Sequence, residues 1–487
     1  MFEFLKDFCP CFSKEEKPVA ARPLRDSINY QLNDPNTPDL TVHIPVPQKP
    51  NVLNFTVKGF DRNNPGAPPG TQAGQAANVY ATIVRSLNNI LKYRNLTNWP
   101  GTRNLLILPR AGKDLNAYYD RRHLKFFYAA DRKSKNVVFT CESVDIVAHE
   151  LGHALLDTMR PDLWSTQSLE IWSFHEAFGD INAVATVMLH EHMLRYALKE
   201  TNGNLRKHNV ISRLAEQMGD AIFHLTGGRG GFKPGALRNA INNFTYKRPE
   251  SLPKRTSNDK LAAESHSFGR LFVGAWYDIM IGIFELNLRE GQGEMTALHN
   301  ARNYAYQNIV EALIVAPRSP RFYNAVARAM LSVDRLKGGR CQSIMRKVFE
   351  KRKMLLRSNR IKALESASWS NVSKSLEKKD EVIKTKEGYA VRKAVSSTFN
   401  VSNQIGASAL NTNPLFSLNI ELADDTFYEM NSDGKALMAL HVDNSEAVES
   451  AIAALNYLHE TGAVGDSWKI EDNNLIRKHV QCQCCGG

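Results

Sequence analysis

Residues 145–157 read DIVAHELGHALLD, and at their centre His149-Glu150-Leu151-Gly152-His153 sets two imidazoles four positions apart with a carboxylate beside the first. On an α-helix, positions i and i+4 share a face. Both rings therefore turn toward one point, where each can offer a nitrogen to zinc at ~2.0–2.1 Å. Glu150 sits beside that point without being a ligand, placed to take a proton from an attacking water. Five residues of this pattern also occur on ordinary solvated helices. Here the flanks Val144, Ile146, Val147, Leu151, Ala154 and Leu155 are apolar, so the helix is predicted to be buried on most sides. Two histidines and a glutamate buried without partners would be costly, which favours a metal site over a polar face.

Catalytic zinc commonly takes three protein ligands and leaves one position open. Twenty-three positions after His153 comes Glu176, in the run His175-Glu176-Ala177-Phe178-Gly179-Asp180. The spacing puts it on the next helix, which can pack antiparallel to the first. Glu176 and Asp180 are i and i+4 and share a face. Glu176 can then bind the metal while Asp180 accepts a hydrogen bond from a ligand imidazole and fixes its tautomer. His175 competes for the ligand role, but its position points about 100° away around the helix. The bland alternative is an acidic pair on a solvated face.

Working outward, apolar periodicity predicts helices over 142–159, 167–200, 209–226, 235–243, 265–287, 293–314, 320–333 and 340–357. Before them, a helix around Val79 to Leu91 is followed by short strand-like runs at Leu105 to Leu108, Leu115 to Tyr119, Lys125 to Ala129 and Val137 to Thr140. A β-rich region feeding an α-rich one implies an α+β protein with two lobes. The expected organisation is an N-terminal arm or leader over 1–50, a main domain over 51–357 (β-rich 51–141, α-rich 142–357), a linker over 358–382 and a small α+β unit over 383–487. That last unit holds no chemical motif. It is predicted to have strands at Phe416 to Leu422 and Leu437 to Val442 and a helix from Ser445 to Glu460.

HExxH followed by ExxxD on the next helix resembles the thermolysin-like (gluzincin) neutral zinc metallopeptidases. Three further segments agree in order. Asn116-Ala117-Tyr118-Tyr119 resembles the family's edge strand, which pairs with the substrate backbone. Leu237-Arg238 resembles its Leu-Arg pair, and His266 in HSFGRLFVGAWY resembles its transition-state histidine, with Tyr277 following at the family's spacing. The resemblance covers about residues 40–356. It implies the two-lobed fold with the active-site helix between the lobes, and a zinc-dependent endopeptidase cleaving on the amino side of apolar residues. It further implies one Zn2+ on His149, His153 and Glu176, with Glu150 as general base and then acid and His266 donating to the developing oxyanion. Asn116, Ala117 and Arg238 would hold the peptide, and Ile146 and Leu237 would line an apolar pocket. His266 and Arg238 also have plain readings, as a core histidine and a structural ion-pair partner.

The chain departs from that pattern in several places. No tyrosine lies between His153 and Glu176, where the family often has a second oxyanion donor. The aspartate five positions before the transition-state histidine is here Leu261, so Glu264 or Asp259 must substitute. Dense acidic calcium loops are not evident, so calcium is not indicated. Two alternatives stand beside the endopeptidase: a self-inhibited or inactive binding protein that retains its zinc, and an aminopeptidase. Asn116-Ala117, where aminopeptidases carry an acidic amine-capturing motif, favours the endopeptidase over the latter. The termini are expected to cover the cleft if the protein is self-inhibited.

Composition bounds the rest. The 487 residues carry a formal charge of +12, which raises the odds of acidic partners. The basic residues do not cluster into one block, so no specific nucleic acid is expected beside a peptide or protein substrate. Seven cysteines do not suggest a disulfide framework. Cys141 and Cys341 read as buried thiols. Cys9 and Cys11 follow an apolar run and suit a weak, acylated membrane contact, and Cys482, Cys484 and Cys485 form a second terminal cluster. No signal peptide and no apolar run of ~20 residues is evident, which points to a cytoplasmic protein.

Overall fold

In the computed structural model, residues 26–37, 41–231, 233–356, 369–395, 398–400, 402, 413–440 and 444–481 are described. The terminal cysteine clusters lie outside the described residues.

The chain is mixed α+β. Strands β1 (Ser27–Gln31) and β2 (Thr41–Pro45) pair antiparallel and pack on α1 (Gln72–Ile90). The sheet nearest the site has five strands: β3 (Phe55–Val57), β4 (Leu105–Leu108), β5 (Ala117–Tyr119), β6 (His123–Phe126) and β19 (Val480–Gln481), in the order β19-β5-β6-β4-β3. Strands β3, β4 and β6 run parallel, whereas β5 and β19 are antiparallel to their neighbours. Two small pairs follow, β7 (Tyr128–Ala130) with β8 (Val137–Phe139) and β9 (Arg213–Leu214) with β10 (Arg238–Asn239).

The helical part begins with α2 (Val144–Met159) and α3 (Leu169–Val187). Every residue of α3 is buried, among them Glu170, Glu176 and Asp180, whose carboxylates need partners inside the protein. Around them lie α4 (Glu191–Thr201), α5 (Glu216–Thr226), α6 (Ser265–Arg289), α7 (Glu294–Val315), α8 (Phe322–Arg335) and α9 (Gln342–Lys351). Helix α6 packs against both α3 and α7. By length and composition α6 alone among the described residues can cross a membrane, and 78% of its most apolar window is buried inside the protein.

After a short α10 (Trp369–Lys374) come two four-stranded sheets. Strands β11 (Glu381–Thr385), β12 (Gly388–Lys393), β15 (Thr426–Asn431) and β16 (Ala436–Leu440) form one. The other is built from β13 (Thr398–Asn400), β14 (Asn419–Glu421), β18 (Asn474–Arg477) and β17 (Trp468–Glu471), with α11 (Asn444–Thr461) beside it. These elements share their core with the rest of the chain. Leu169, Trp172 and Ala263 cluster with Leu415, Ile420, Leu455 and Trp468, while Ala390, Phe427 and Val480 belong to the main core. A buried ionic knot joins the same parts. Asp425 binds Arg318 at 3.0 Å and Arg392 at 3.3 Å, and Asp162 binds Arg160 at 2.8 Å and Arg392 at 3.0 Å.

Several predicted elements have different limits. The helix expected over 167–200 is two, because His190 caps α4 by accepting from the His192 amide. No helix occupies 235–243. Gly235 takes φ +99°, and the following residues form β10 instead. Around 416, a 3-10 turn at Pro414–Ser417 precedes the strand, which is confined to Asn419–Glu421. Part of the expected linker is ordered, as α10 and the start of β11. Cys141 and Cys341 are free and buried, as read from the sequence.

Candidate metal centre

Helices α2 and α3 cross at a pair of glycines. A Cβ on Gly152 would lie 2.8 Å from the Gly179 Cα, and one on Gly179 would lie 2.8 Å from two atoms of the His149 ring. Neither position tolerates a side chain at this separation, so the two backbones approach closely enough for Glu176 to reach across. Its Oε2 lies 3.3 Å from His149 Nε2 and 3.7 Å from His153 Nε2. Two atoms each ~2.0–2.1 Å from a tetrahedral zinc stand about 3.4 Å apart, so the three side chains fit such an ion. Their ligating atoms all lie within 4.8 Å of one another.

The buried polar atoms argue the same way. His149 Nε2, both ring nitrogens of His153, both carboxyl oxygens of Glu150 and Glu176 Oε2 are buried without a hydrogen bond. Each such atom costs about 1–3 kcal/mol, and native proteins seldom concentrate them. A cation at the meeting point of Nε2, Nε2 and Oε2 satisfies three of them at once.

The supports of the site are also in place. His149 Nδ1 lies 2.8 Å from Asp180 Oδ1, which leaves Nε2 for the metal position. Asp180 is gripped in turn by Arg238 through Nε at 2.9 Å and Nη2 at 2.8 Å. Burial raises the Asp180 carboxyl, but Arg238 and His149 overcome it and hold the pKa at about 2. Glu150 has no such partner. Burial, with the charge of Glu176 adding, pushes it up to about 8 against the pull of His149, His266 and Arg238.

Helix α6 delivers His266. Glu264 caps this helix, accepting from the amides of His266 at 3.0 Å and Ser267 at 2.8 Å, and its Oε1 lies 2.6 Å from His266 Nδ1. Glu264 thus takes the orienting position for which Asp259 was the other candidate; Asp259 instead accepts from Ser257. Nε2 of His266 points to Glu176, at 3.1 Å. Gly269 permits the approach, since a Cβ there would lie 3.0 Å from the Ser173 carbonyl oxygen.

The remaining predicted residues lie further out. Asn116 is buried, and its side chain folds onto the Ala117 amide at 2.8 Å and onto Asp114 at 3.3 Å. Ala117 pairs with Phe126 of β6. Arg238 ends on Asp180, as described. Ile146 and Leu237 are buried, but neither lines the cavity of about 340 Å3 that opens beside Glu176 and His266. Tyr277 is a core residue, its hydroxyl donating to the Leu205 carbonyl at 3.2 Å. His175 is fully buried, its ring 6.0 Å from that of His153, and stays outside the ligand group.

That cavity is also lined by residues the sequence reading passed over: Tyr457, Trp468, Arg477 and His479. Arg477 is 8% exposed, and its guanidinium lies over Trp164 and Trp468. Nothing in the local sequence signals this role, because Trp164 lies 313 residues earlier. No family model matches the chain, and no curated protein matches it.

Proposed function

We propose that this chain is a zinc-dependent endopeptidase of the thermolysin-like kind, with the two-lobed fold that resemblance implies. The observation that carries the reading is the buried convergence of His149, His153 and Glu176 with an unpartnered Glu150 beside it. A zinc ion held there supplies Lewis-acid chemistry, polarising a peptide carbonyl and making water acidic enough to lose a proton near neutral pH.

The protein residues do the rest. Glu150, buried beside the cluster with neither carboxyl oxygen hydrogen-bonded, is placed to take and return a proton. The same residue can hand that proton to the departing amine. His266, fixed by Glu264 at Nδ1, presents Nε2 toward the cluster as a preorganised donor for a developing oxyanion. Asp180 holds the His149 ring in place, and Arg238 acts through Asp180. The backbone of Asn116 and Ala117 would hold an extended peptide as an added strand. The test is bound metal together with cleavage of N-blocked apolar peptides, for the wild type and for Glu150→Gln. About one zinc per chain in both, with cleavage only when Glu150 is present, is the expected result. Zinc-free wild-type protein would refute it. Cleavage restricted to peptides with free N-termini would instead support an aminopeptidase.

A second reading, the self-inhibited enzyme, is favoured by one observation: strand β19 pairs with β5 at Tyr118 and Tyr119, on the edge assigned to substrate.

A further inference from the structure

The free edge of a sheet is a template for another strand, and in this protein the chain's own C-terminal segment fills it. Val480 pairs with Tyr119 and Gln481 with Tyr118, antiparallel, on the side of β5 not taken by β6. Just before these residues, the His479 ring lies 5.0 Å from the ring of Tyr118. Two residues earlier, the Arg477 carbonyl accepts from the Trp164 indole at 3.0 Å. Arg477 and His479 of the same run line the cavity that Glu176 and His266 also line. The segment therefore does two things at once: it takes the pairing edge and closes the space beside the metal-ligand cluster.

Val480 is fully buried, but the hold on this segment has weak points. Nε and Nη1 of Arg477 are buried without a hydrogen bond. An under-satisfied buried guanidinium weakens the docked state. Strand β19 itself is two residues long, so few backbone hydrogen bonds hold it.

We propose that Val480–Gln481 is a tethered competitor of substrate, docking on β5 as an added strand so that it and an extended peptide exclude one another. The proposal rests on the peptidase reading only for what the peptide is; the competition for the edge stands on the pairing alone.

The test measures binding separately from hydrolysis. Full-length protein carrying Glu150→Gln, which leaves the peptide intact, is titrated into a fluorescein-labelled, end-blocked apolar hexapeptide and followed by anisotropy. The comparison adds Val480→Pro with Gln481→Pro, which removes both amide donors of the strand. Peptide binding is expected to tighten at least about tenfold, as an intramolecular competitor is removed. Amide exchange at Ala117–Tyr119 should speed up without peptide and slow again with it. A chain ending at Lys478 serves as the second variant and decides the matter should the proline variant fail to fold. Equal peptide affinity in latched and unlatched proteins overturns the proposal, whatever the hydrolysis result. Tighter binding without hydrolysis when Glu150 is restored upholds the latch and removes the peptidase reading.

Discussion

Gly179→Ala is the sharpest probe of how the metal centre is assembled. The new methyl would sit 2.8 Å from Cε1 and Nδ1 of His149 and 3.0 Å from Nε2, where ordinary contact begins at 3.4 Å. The ring must retreat by about 0.6 Å, the difference between 3.4 and 2.8 Å, or turn. Metal–ligand distances tolerate only about ±0.2 Å, and the same movement strains the 2.8 Å contact with Asp180. Disturbing an orienting partner typically lowers metal affinity 10–100-fold, so a loss of about 1.4–2.7 kcal/mol is expected. The fold should survive, because a side chain can yield and alanine gains up to about 1 kcal/mol of helix propensity over glycine. Competition against a chromogenic chelator measures the affinity, and thermal unfolding of the metal-free protein measures the fold. Unchanged zinc affinity with an intact fold would refute the idea that the His149 ring is seated against the α3 backbone to bind metal. Gly152→Ala supplies the contrast. Its methyl meets the Gly179 Cα at 2.8 Å, and backbone cannot turn aside. The helices must separate, so about 1–3 kcal/mol of stability should go along with the metal.

Three further outcomes follow from the structure. Asp425→Ala leaves the buried guanidiniums of Arg160, Arg318 and Arg392 with Asp162 as their shared carboxylate; about 3–5 kcal/mol should be lost, and a denaturant midpoint shifted by less than 1 kcal/mol would contradict this. Burial pushes the Glu170 carboxyl up to about 7, against the opposing pull of Arg321 and the Tyr246 hydroxyl. The folded state then keeps a proton that the unfolded chain has released, so stability should fall as pH rises from about 4.5 to 7, by up to ~1.4 kcal/mol per pH unit. Glu170→Gln should flatten that slope, and parallel slopes in urea titrations at pH 5 and 7.5 would count against it. Glu264→Gln weakens the contact that orients His266 and should lower kcat about tenfold or more, with KM little changed; no further loss in a His266→Ala background would show that the two act as one unit.

The candidate metal-ligand cluster was legible because its information is local. His149 and His153 are one helical turn apart, and so are Glu176 and Asp180, so periodicity alone places each pair on a face. What joins the two helices was not legible. Gly152 and Gly179 read in sequence as mild helix-weakeners, and only the crossing shows that each is the absence of a side chain another residue needs. The break between α3 and α4 escaped for a related reason: residues 188–190 contain neither glycine nor proline, and a histidine supplies the cap. Leu237-Arg238 was recognised as a pair but placed on a helix, since two-residue strands leave no alternating pattern. Strand β19 is the extreme case, as short as β10 and partnered with a strand 361 positions earlier. Such a contact has no signature within any window of the chain.

The place of β19 on the same polypeptide as β5 has one more consequence, in concentration terms. A tethered strand faces its edge at an effective concentration in the millimolar range, set by its attachment and not by how much protein is present. Dilution cannot open the cleft and crowding the solution with more protein cannot close it further. A free peptide of similar intrinsic affinity present at micromolar levels would hold the edge about a thousandth of the time. If β19 competes with substrate as proposed, a productive ligand must bind beyond the edge strand or first draw Val480–Gln481 away.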